Sequence, residues 1–550
     1  MTRREFISTT SAGATGIALA SSLPSVARAA GADTSGTPAP DFNINRAFEQ
    51  FMIDIGGSAT DGGGKVTFTG RDPIVHSHFR IGASMAIPAM AAAVGAAAIY
   101  KDRTGVGQDA SVDLREAVMN VNPLLTIIMK KRQMLGLLSP EDPVAKGFTF
   151  VPTAGGRWYQ APLGAGNPFS FAIFELKDGK YVTITGIYPH LLTRALTLLG
   201  VPPDRDKIVS VLKTWGSKDL DDAMGKFNVV GGLHRTAEEW LAHPQGAYLS
   251  KLPVIEIVKV GDTKPLPFSK NPIQPLSGVK VLTLTHVIAG TCAARTLAEY
   301  GADVLHVARD QSFEHEGLVT DVNVGMRSAW LDLRQQKDKD SLFALVPDAD
   351  VFIEGFRGRS IERLGFGVEE IAKRRPGIVY MSIRAYGWEG PWWDRPGFDM
   401  EALTVTGYTM REGDGKPALG EVYGPPDSAN APRPAFPPTL VLNDYIAGYL
   451  GAAGIIAALR RRAKEGGSYH VRVSLARAAM WFQSLGTFAT NQTDATNPDH
   501  RMIPIEPYVG ASQYGEIRRL PPQVKLSKTP GRWRAPLVSV RGGSKTAWRD

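Results

Sequence analysis

Two stretches of the chain carry the same pattern of apolar and polar positions, with no gap needed to align them. Leu442–Leu475 (LNDYIAGYLGAAGIIAALRRRAKEGGSYHVRVSL) and Ile81–Leu114 (IGASMAIPAMAAAVGAAAIYKDRTGVGQDASVDL) are offset by 361 residues, so Leu475 falls on Leu114 and Asp444 on Ala83. Each opens on a twenty-odd-residue apolar run rich in small residues, a pattern that predicts a buried helix. Only the later copy has a carboxylate at its start. A repeat that keeps its scaffold and differs in one acid makes Asp444 a candidate for chemistry. The competing reading is a plain N-cap on a buried helix.

From Leu276 onward, short β-branched runs alternate with helical spacing. GVKVLTLT (Gly278–Thr285), ADVLHVA, ADVFIEGF and GIVYMSIRAYG predict strands; TCAARTLAEYG and the segment around Lys337–Leu345 predict helices. This alternation predicts an α/β fold with a parallel sheet and crossover helices. Ligands in such sheets gather beyond the C-terminal strand ends, here Thr285–Gly290, Ala308–Asp310, Gly355–Arg357 and Arg384–Gly387. Neither a GxGxxG after the first strand nor a P-loop is present, which disfavours NAD and ATP.

The first half is organised differently. A Gly-rich stretch (GGSATDGGGKV) reads as a turn, and VDLREAVMNVNPLL as a helix. DGKYVTIT reads as a turn into a strand, and YPHLLTRALTLLGV as a helix. TAEEWLAHPQG reads as a helix opened by a Thr236–Glu239 capping box. His76-Ser77-His78 has metal-like spacing but no third ligand nearby, so it reads as a surface pair and no metal site is expected. Met85–Tyr100 is too short to span a bilayer and reads as a core helix.

With 550 residues, 43% apolar and 21% charged, the chain has the composition of a globular protein of two or three domains. A net charge of +8 is spread along the chain, and no zinc-finger spacing or basic arm points to nucleic acid. The single cysteine, Cys292, excludes an intrachain disulfide and reads as a packed thiol. Arg3-Arg4-Glu5-Phe6, a weakly apolar run and Ala27-Arg28-Ala29 look like a twin-arginine export signal with its cleavage site. That predicts a periplasmic protein without an integral membrane segment once the signal is removed. A non-functional leader on a cytoplasmic protein is the alternative.

The motifs PLSGVKVLTLTHVIAGTCAARTLAEYGADVLHV, ADVFIEGFRGRSIERLGFG, PGIVYMSIRAYGWEGPW, GFDMEALTVTGY and NDYIAGYLGAAGIIAAL together resemble class III CoA-transferases, the CaiB/BaiF family, over roughly 275–480. The first half resembles the family's later part, through RTGVGQ…VDL, KDGKYV and RTAEEW. The resemblance therefore implies a circularly permuted chain whose junction helix is present twice. In outline this gives a leader (1–30), a spacer (31–40), a permuted back half with a smaller α+β domain (41–263) and a Pro-rich linker (264–275). A Rossmann-like CoA-binding front half (276–489) follows, then a C-terminal arm or tail (490–550).

The resemblance implies transfer of CoA from an acyl-CoA to a carboxylic acid through covalent aspartyl intermediates on Asp444. CoA thioester enters as substrate, no tightly bound cofactor is expected, and the family implies a homodimer. Carried over motif by motif, CoA would be held by Val287, Arg309, Phe356, Arg357, Arg363 and Arg384, with Tyr386 shaping the acyl pocket. Two departures stand out: Ile288 where many transferases have Gln, and Ala308 where an acid is common. Phe398 occupies the place of the imidazole that the family's racemases pair with their Asp, which favours transfer over racemisation. An isomerase on the same scaffold and a degenerate acyl-CoA-binding protein remain the alternatives. At the start of its helix, Asp444 is expected to be held as an anion by unpaired N–H groups, with oxyanions stabilised by N–H groups of nearby glycines.

Overall fold

A computed structural model describes residues 42–121, 150–158, 167–309, 316–414, 421–423, 434–493 and 503–549. The expected leader (1–30), the spacer (31–40) and Asp310 lie outside the described residues. In chain order the elements that matter are β1 (Gly63–Thr69), α1 (Ile81–Thr104), β2 (Gln108–Asp113), β3 (Ala172–Glu175), β4 (Tyr181–Ile184) and β5 (Gly231–Leu233). Then come β6 (Glu256–Gly261), β7 (Lys280–Leu284), α2 (Ala289–Glu299), β8 (Asp303–Ala308), β9 (Arg327–Trp330), β10 (Val351–Glu354) and β11 (Val379–Arg384). The last are α3 (Asp399–Val405), α4 (Leu442–Glu465), β12 (Ser468–Ser474) and β13 (Val524–Leu526).

The main sheet has the order β9-β8-β7-β10-β11-β12-β6, parallel throughout except for the antiparallel edge strand β6. This is the α/β architecture that the alternating pattern predicts. β8 and β10 are buried along their whole length, as expected where helices cover both faces of a parallel sheet. The chain leaves β7 toward β8 and returns on its other side to β10. The gap between the carboxyl ends of β7 and β10 is therefore a topological switch point, where a crevice opens above the sheet.

The smaller α+β part packs helices Pro189–Leu199, Arg205–Leu212 and Ser217–Phe227 against the antiparallel pairs β3–β4 and β4–β5. Helix Ala237–Ala242 opens with the capping box read from Thr236 and Glu239. A third sheet, β1-β2-β13, repeats in miniature the arrangement of β11, β12 and β6: a parallel pair followed by an antiparallel edge.

The two copies of the repeat fold alike. α1 and α4 are both 24 residues long and their ends keep the same offset. They lie against each other, and the equivalent positions Gly95 and Ile456 meet: a Cβ on Gly95 would lie 2.8 Å from Ile456 Cγ2. Both helices are long and apolar enough by composition to cross a membrane, which corrects the length read for the first. Yet 94% of each apolar window is buried inside the protein, so both serve as core helices. α4 also packs closely on α2, where a Cβ on Gly448 would sit 2.6 Å from Cys292 Cβ.

The C-terminal stretch does not trail away. Hairpin Tyr508–Ser512/Gly515–Arg519 and β13 add to sheets formed by the first half. Buried Asp321 accepts hydrogen bonds from Arg519 Nη2 (3.0 Å) and Tyr445 OH (2.7 Å), and Arg295 pairs with it at 3.3 Å. The 490–550 segment, where described, is thus an arm folded onto its own chain. The 76–78 reading also needs correction. Ser77 and His78 are fully buried, held by the Glu412 carboxylate through Ser77 Oγ (2.9 Å) and His78 N–H (3.1 Å). With His78 buried and His76 half-buried, the two histidines are not a surface pair.

Candidate active site

The crevice at the switch point is lined by Thr285–Gly290 after β7, Gly355, Arg357 and Gly358 after β10, and Ile383–Tyr386 at the end of β11. Trp393, Arg395, Gly397 and Phe398 close one side, and Asp444 and Leu475 complete it. Its cavity volume is about 100 Å³. Of the residues singled out from sequence, Val287, Arg357, Arg384, Tyr386 and Asp444 come together here. Arg309, Phe356 and Arg363 do not line it. Arg309 and Arg363 are exposed; Arg363 bonds Ser360 Oγ. Phe356 stands one layer back, its ring 6.1 Å from that of His286.

Asp444 lies in the first turn of α4 but does not cap it: the N-cap is Val441, and no side chain caps it. The plain capping reading therefore falls. Capping is supplied from α3 instead. Asp399 Oδ2 accepts the Asp444 N–H at 2.8 Å and the Asp399 carboxylate also accepts the Asn443 N–H. The first copy is built the same way, with Asp72 accepting Gly82 N–H and Ala83 N–H, both at 2.8 Å. In both copies a carboxylate from outside the helix holds its N-terminus, and Asp444 is an additional acid.

This changes the electrostatics expected for Asp444. The first-turn amides that were to stabilise its anion are already bonded to Asp399. Burial, with the nearby Glu401 carboxyl adding repulsion, pushes Asp444 up to about 7. Among the described residues no group hydrogen-bonds its carboxylate oxygens. Burial and the Asp444 charge raise Asp399 in turn, and burial raises Glu401, whose oxygens accept from Thr185 Oγ1 and, at 3.0 Å, from Phe398 N–H. Three buried carboxyls in contact cannot all ionise at once, so Asp444 loses its proton near neutrality and then has no hydrogen bond to blunt its oxygens.

Two residues around the site hold unfavourable backbone angles. Val287 has φ of 60° and Leu440, just before α4, has φ of 59°. Left-handed φ in a side-chain-bearing residue costs about 1–3 kcal/mol and gathers at functional sites. The first turn of α2 forms another wall, and its N-cap Ile288 makes no side-chain cap bond. Gly290, Gly355, Gly358 and Gly397 allow backbone close to a bound group.

Sequence reasoning missed His286, Trp393, Arg395, Asp399 and Glu401. The signal was present: all but His286 crowd into GWEGPWWDRPGFDME, which runs from beyond β11 into α3, and His286 lies two residues past the end of β7. Among the described residues no group of three or more His, Cys, Asp or Glu side chains is arranged to hold a metal. Cys292 is buried beneath α4, its thiol pushed up to about 11 by burial.

Comparison with known proteins agrees with the region that builds this crevice. Residues 276–512 match the model of CoA-transferase family III. An acetyl-coenzyme A transferase of Hypoxylon pulicicidum is 29% identical over 341 residues, 58% of this chain and 55% of that protein. A probable fatty acyl-CoA transferase of Mycobacterium tuberculosis is 30% identical over 39% of this chain and 54% of its own length. An (R)-2-hydroxy-4-methylpentanoate CoA-transferase of Clostridioides difficile is 27% identical over 39% and 53%. The chain thus spans about half the length of the curated relatives it matches. A crystal structure of the M. tuberculosis protein covers 39% of this chain and 57% of its own at 30% identity, with a TM-score of 0.34. A CaiB/BaiF family protein from Brucella suis covers 38% and 55% at 25% identity, with a TM-score of 0.32. The segment that supplies the parallel strands of the main sheet, the crevice and Asp444 is therefore the segment matched by CoA-transferase family III.

Proposed function

We propose that the chain is an acyl-CoA:carboxylate CoA-transferase whose nucleophile is Asp444. The observation that carries this reading is the carboxylate itself: buried, without a hydrogen-bonded partner on its oxygens among the described residues, and set in the crevice where a parallel sheet receives ligands. The relatives' names, all CoA-transferases, support the same reaction class.

The steps balance on Asp444. Its ionised oxygen attacks the thioester carbonyl and expels CoA thiolate, leaving a mixed anhydride. The thiolate attacks the Asp444 carbonyl carbon, the donor acid departs, and an aspartyl-CoA thioester remains. The acceptor carboxylate then attacks that thioester and again releases thiolate. The thiolate takes the acyl group from the new anhydride and returns Asp444 as carboxylate. Each tetrahedral intermediate carries an oxyanion, for which the first-turn amides of α2 and the glycine backbones of the crevice are the nearby donors.

CoA itself lies along the strand ends, with Val287, Arg357 and Arg384 at the crevice and Arg309, Phe356 and Arg363 further out. Tyr386 shapes the acyl pocket. The permuted chain order, the homodimer and export by the twin-arginine leader belong to the same proposal. The equal lengths and constant offset of α1 and α4 support the doubled junction helix.

The test is transfer: purified protein, an acyl-CoA and a second carboxylic acid, with mass spectrometry for the new acyl-CoA. Formation that is lost in Asp444→Asn is the expected result. Solvent deuterium entering the α-carbon without a new acyl-CoA would replace this reading by an isomerase, and no binding of CoA by a degenerate protein. Fusion of residues 1–35 to a reporter tests export: periplasmic activity is expected, and a reporter held in the cytoplasm would contradict it.

A further inference from the structure

A second cavity opens toward the other end of α4. Its volume is about 240 Å³, more than twice that of the crevice. It lies where α1, α4 and helix Ile44–Asp54 with its following turn converge. Along α4, 17 positions separate Asp444 from Arg461 at its mouth, about 26 Å of helix. None of the residues lining the crevice lines this cavity.

Small side chains make the space. Ala91 and Gly95 of α1 and Ala453 and Ala457 of α4 line it, each pair spaced i,i+4 and so set on one face of its helix. Met52, Ile55 and Ile456 complete an apolar floor. α1 and α4 touch where Gly95 meets Ile456, and the cavity lies beside that contact. Apolar cavities of about 150 Å³ hold a benzene ring, so this one has room for an aliphatic chain on the order of eight carbons.

The mouth is charged, and its charges are unevenly matched. Arg460 is held by Asp61 and by Asp102 (2.9 Å), and Lys464 approaches the same Asp102 at 3.5 Å. Arg461 has no carboxylate partner among the described residues. Its Nη2 donates to the Ile55 carbonyl at 2.6 Å, at the C-terminal end of helix Ile44–Asp54. That carbonyl favours a cation without neutralising it. The guanidinium is seated against Gly56, where a Cβ would collide with Nη2, so the turn fixes it in place. Nε and Nη1 make no hydrogen bond among the described residues and remain for a ligand. Glu465, also at the rim, is exposed and pairs with no cation among the described residues. A ligand with two negative charges would meet Glu465 and Asp61 as well as Arg461. One negative charge is therefore favoured.

We propose that this cavity is a binding site for an aliphatic monocarboxylate, with its head on Arg461 and its chain on the floor between α1 and α4. The inference stands apart from the transferase reading, since it uses no residue of the crevice. A carboxylate on Arg461 is a charge-assisted contact, and its loss is expected to weaken binding about tenfold.

The experiment titrates octanoate, butanoate, octanedioate and 1-octanol into the full chain by calorimetry or NMR. Octanoate is expected to bind most tightly, with affinity falling about threefold to fourfold per methylene removed toward butanoate. Octanedioate, with its second charge, should bind more weakly than octanoate. Arg461→Gln should weaken octanoate about tenfold and leave 1-octanol unchanged. Ala457→Phe, which fills the floor, should abolish binding of both, and Asp444→Asn should alter neither. Absence of saturable octanoate binding would overturn the proposal. So would an octanoate affinity unchanged in both Arg461→Gln and Ala457→Phe, or one lost in Asp444→Asn, which would place the acid in the crevice. Octanoate binding that needs Arg461 in a protein without transferase activity would sustain this inference while the functional reading fell.

Discussion

Replacing Asp444 by asparagine should stabilise the protein, and by an amount that grows with pH. The folded carboxyl titrates at about 7 against an ordinary 3.8. Below about 3.8 both folded and unfolded states hold the proton, and the acid costs nothing special. Between those values the unfolded chain releases its proton while the folded chain keeps it, so the wild type loses stability as pH rises. The loss is complete above about 7. At about 1.4 kcal/mol per unit, that interval sets a ceiling of roughly 4 kcal/mol. Sharing of protons among Asp444, Asp399 and Glu401 reduces the share of one residue to about 2 kcal/mol. Asparagine keeps the shape and does not titrate. Urea unfolding of both proteins at pH 4 and pH 8 should therefore show the stability difference moving in favour of the variant by about 2 kcal/mol between the two. A difference that stays constant with pH, or shifts in favour of the wild type at pH 8, would refute the electrostatic account of the site.

Other consequences follow from the same geometry. Because only the ionised carboxylate attacks, the first half-reaction should accelerate as pH rises through about 7 and then level off, measured as single-turnover CoA release. Asp399→Ala leaves the Asn443 and Asp444 N–H groups without their acceptor and should cost about 1–2 kcal/mol of stability by denaturation, with a fall in kcat. Ala83→Gly, at the position equivalent to Asp444, should cost at most about 1 kcal/mol and leave transfer rates unchanged. Gly95→Ala drives a methyl into Ile456 and should cost about 1–3 kcal/mol in the same assay, because both helices are packed too tightly to yield.

The central strands were legible because Val and Ile runs buried on both faces need no partner to be recognised. β9, with the sequence RSAW, is too short to show a period, and β12, SYHVRVS, mixes charges into a strand. Their places are fixed by neighbours: β12 is held between β11 and the antiparallel β6. Asp444 stood out as a candidate from the repeat, and its place in the site was what the family resemblance implied. Its proton affinity was legible in neither. Asp399 reaches the start of α4 across 45 residues of sequence, and a spacing of that length leaves no local signature. His78 was misplaced for a similar reason. It is buried by Glu412 and by the stacking of Phe79 on Tyr408, 4.2 Å apart, contacts made hundreds of positions away. Of the arginines chosen by motif, Arg309 directly follows β8 and Arg363 ends the short helix Ser360–Arg363, and both lie outside the crevice, since a motif fixes the segment and leaves the direction of the side chain open.

The central claim is that Asp444 is the atom-bearing partner in transfer. Incubation with an acyl-CoA, rapid quenching and peptide mass spectrometry test it most directly. The account predicts a CoA thioester on the peptide containing Asp444, absent in Asp444→Asn and unaffected by Ala83→Gly. Transfer of CoA between acids with no adduct on that peptide, or with an adduct on another carboxylate, would contradict it.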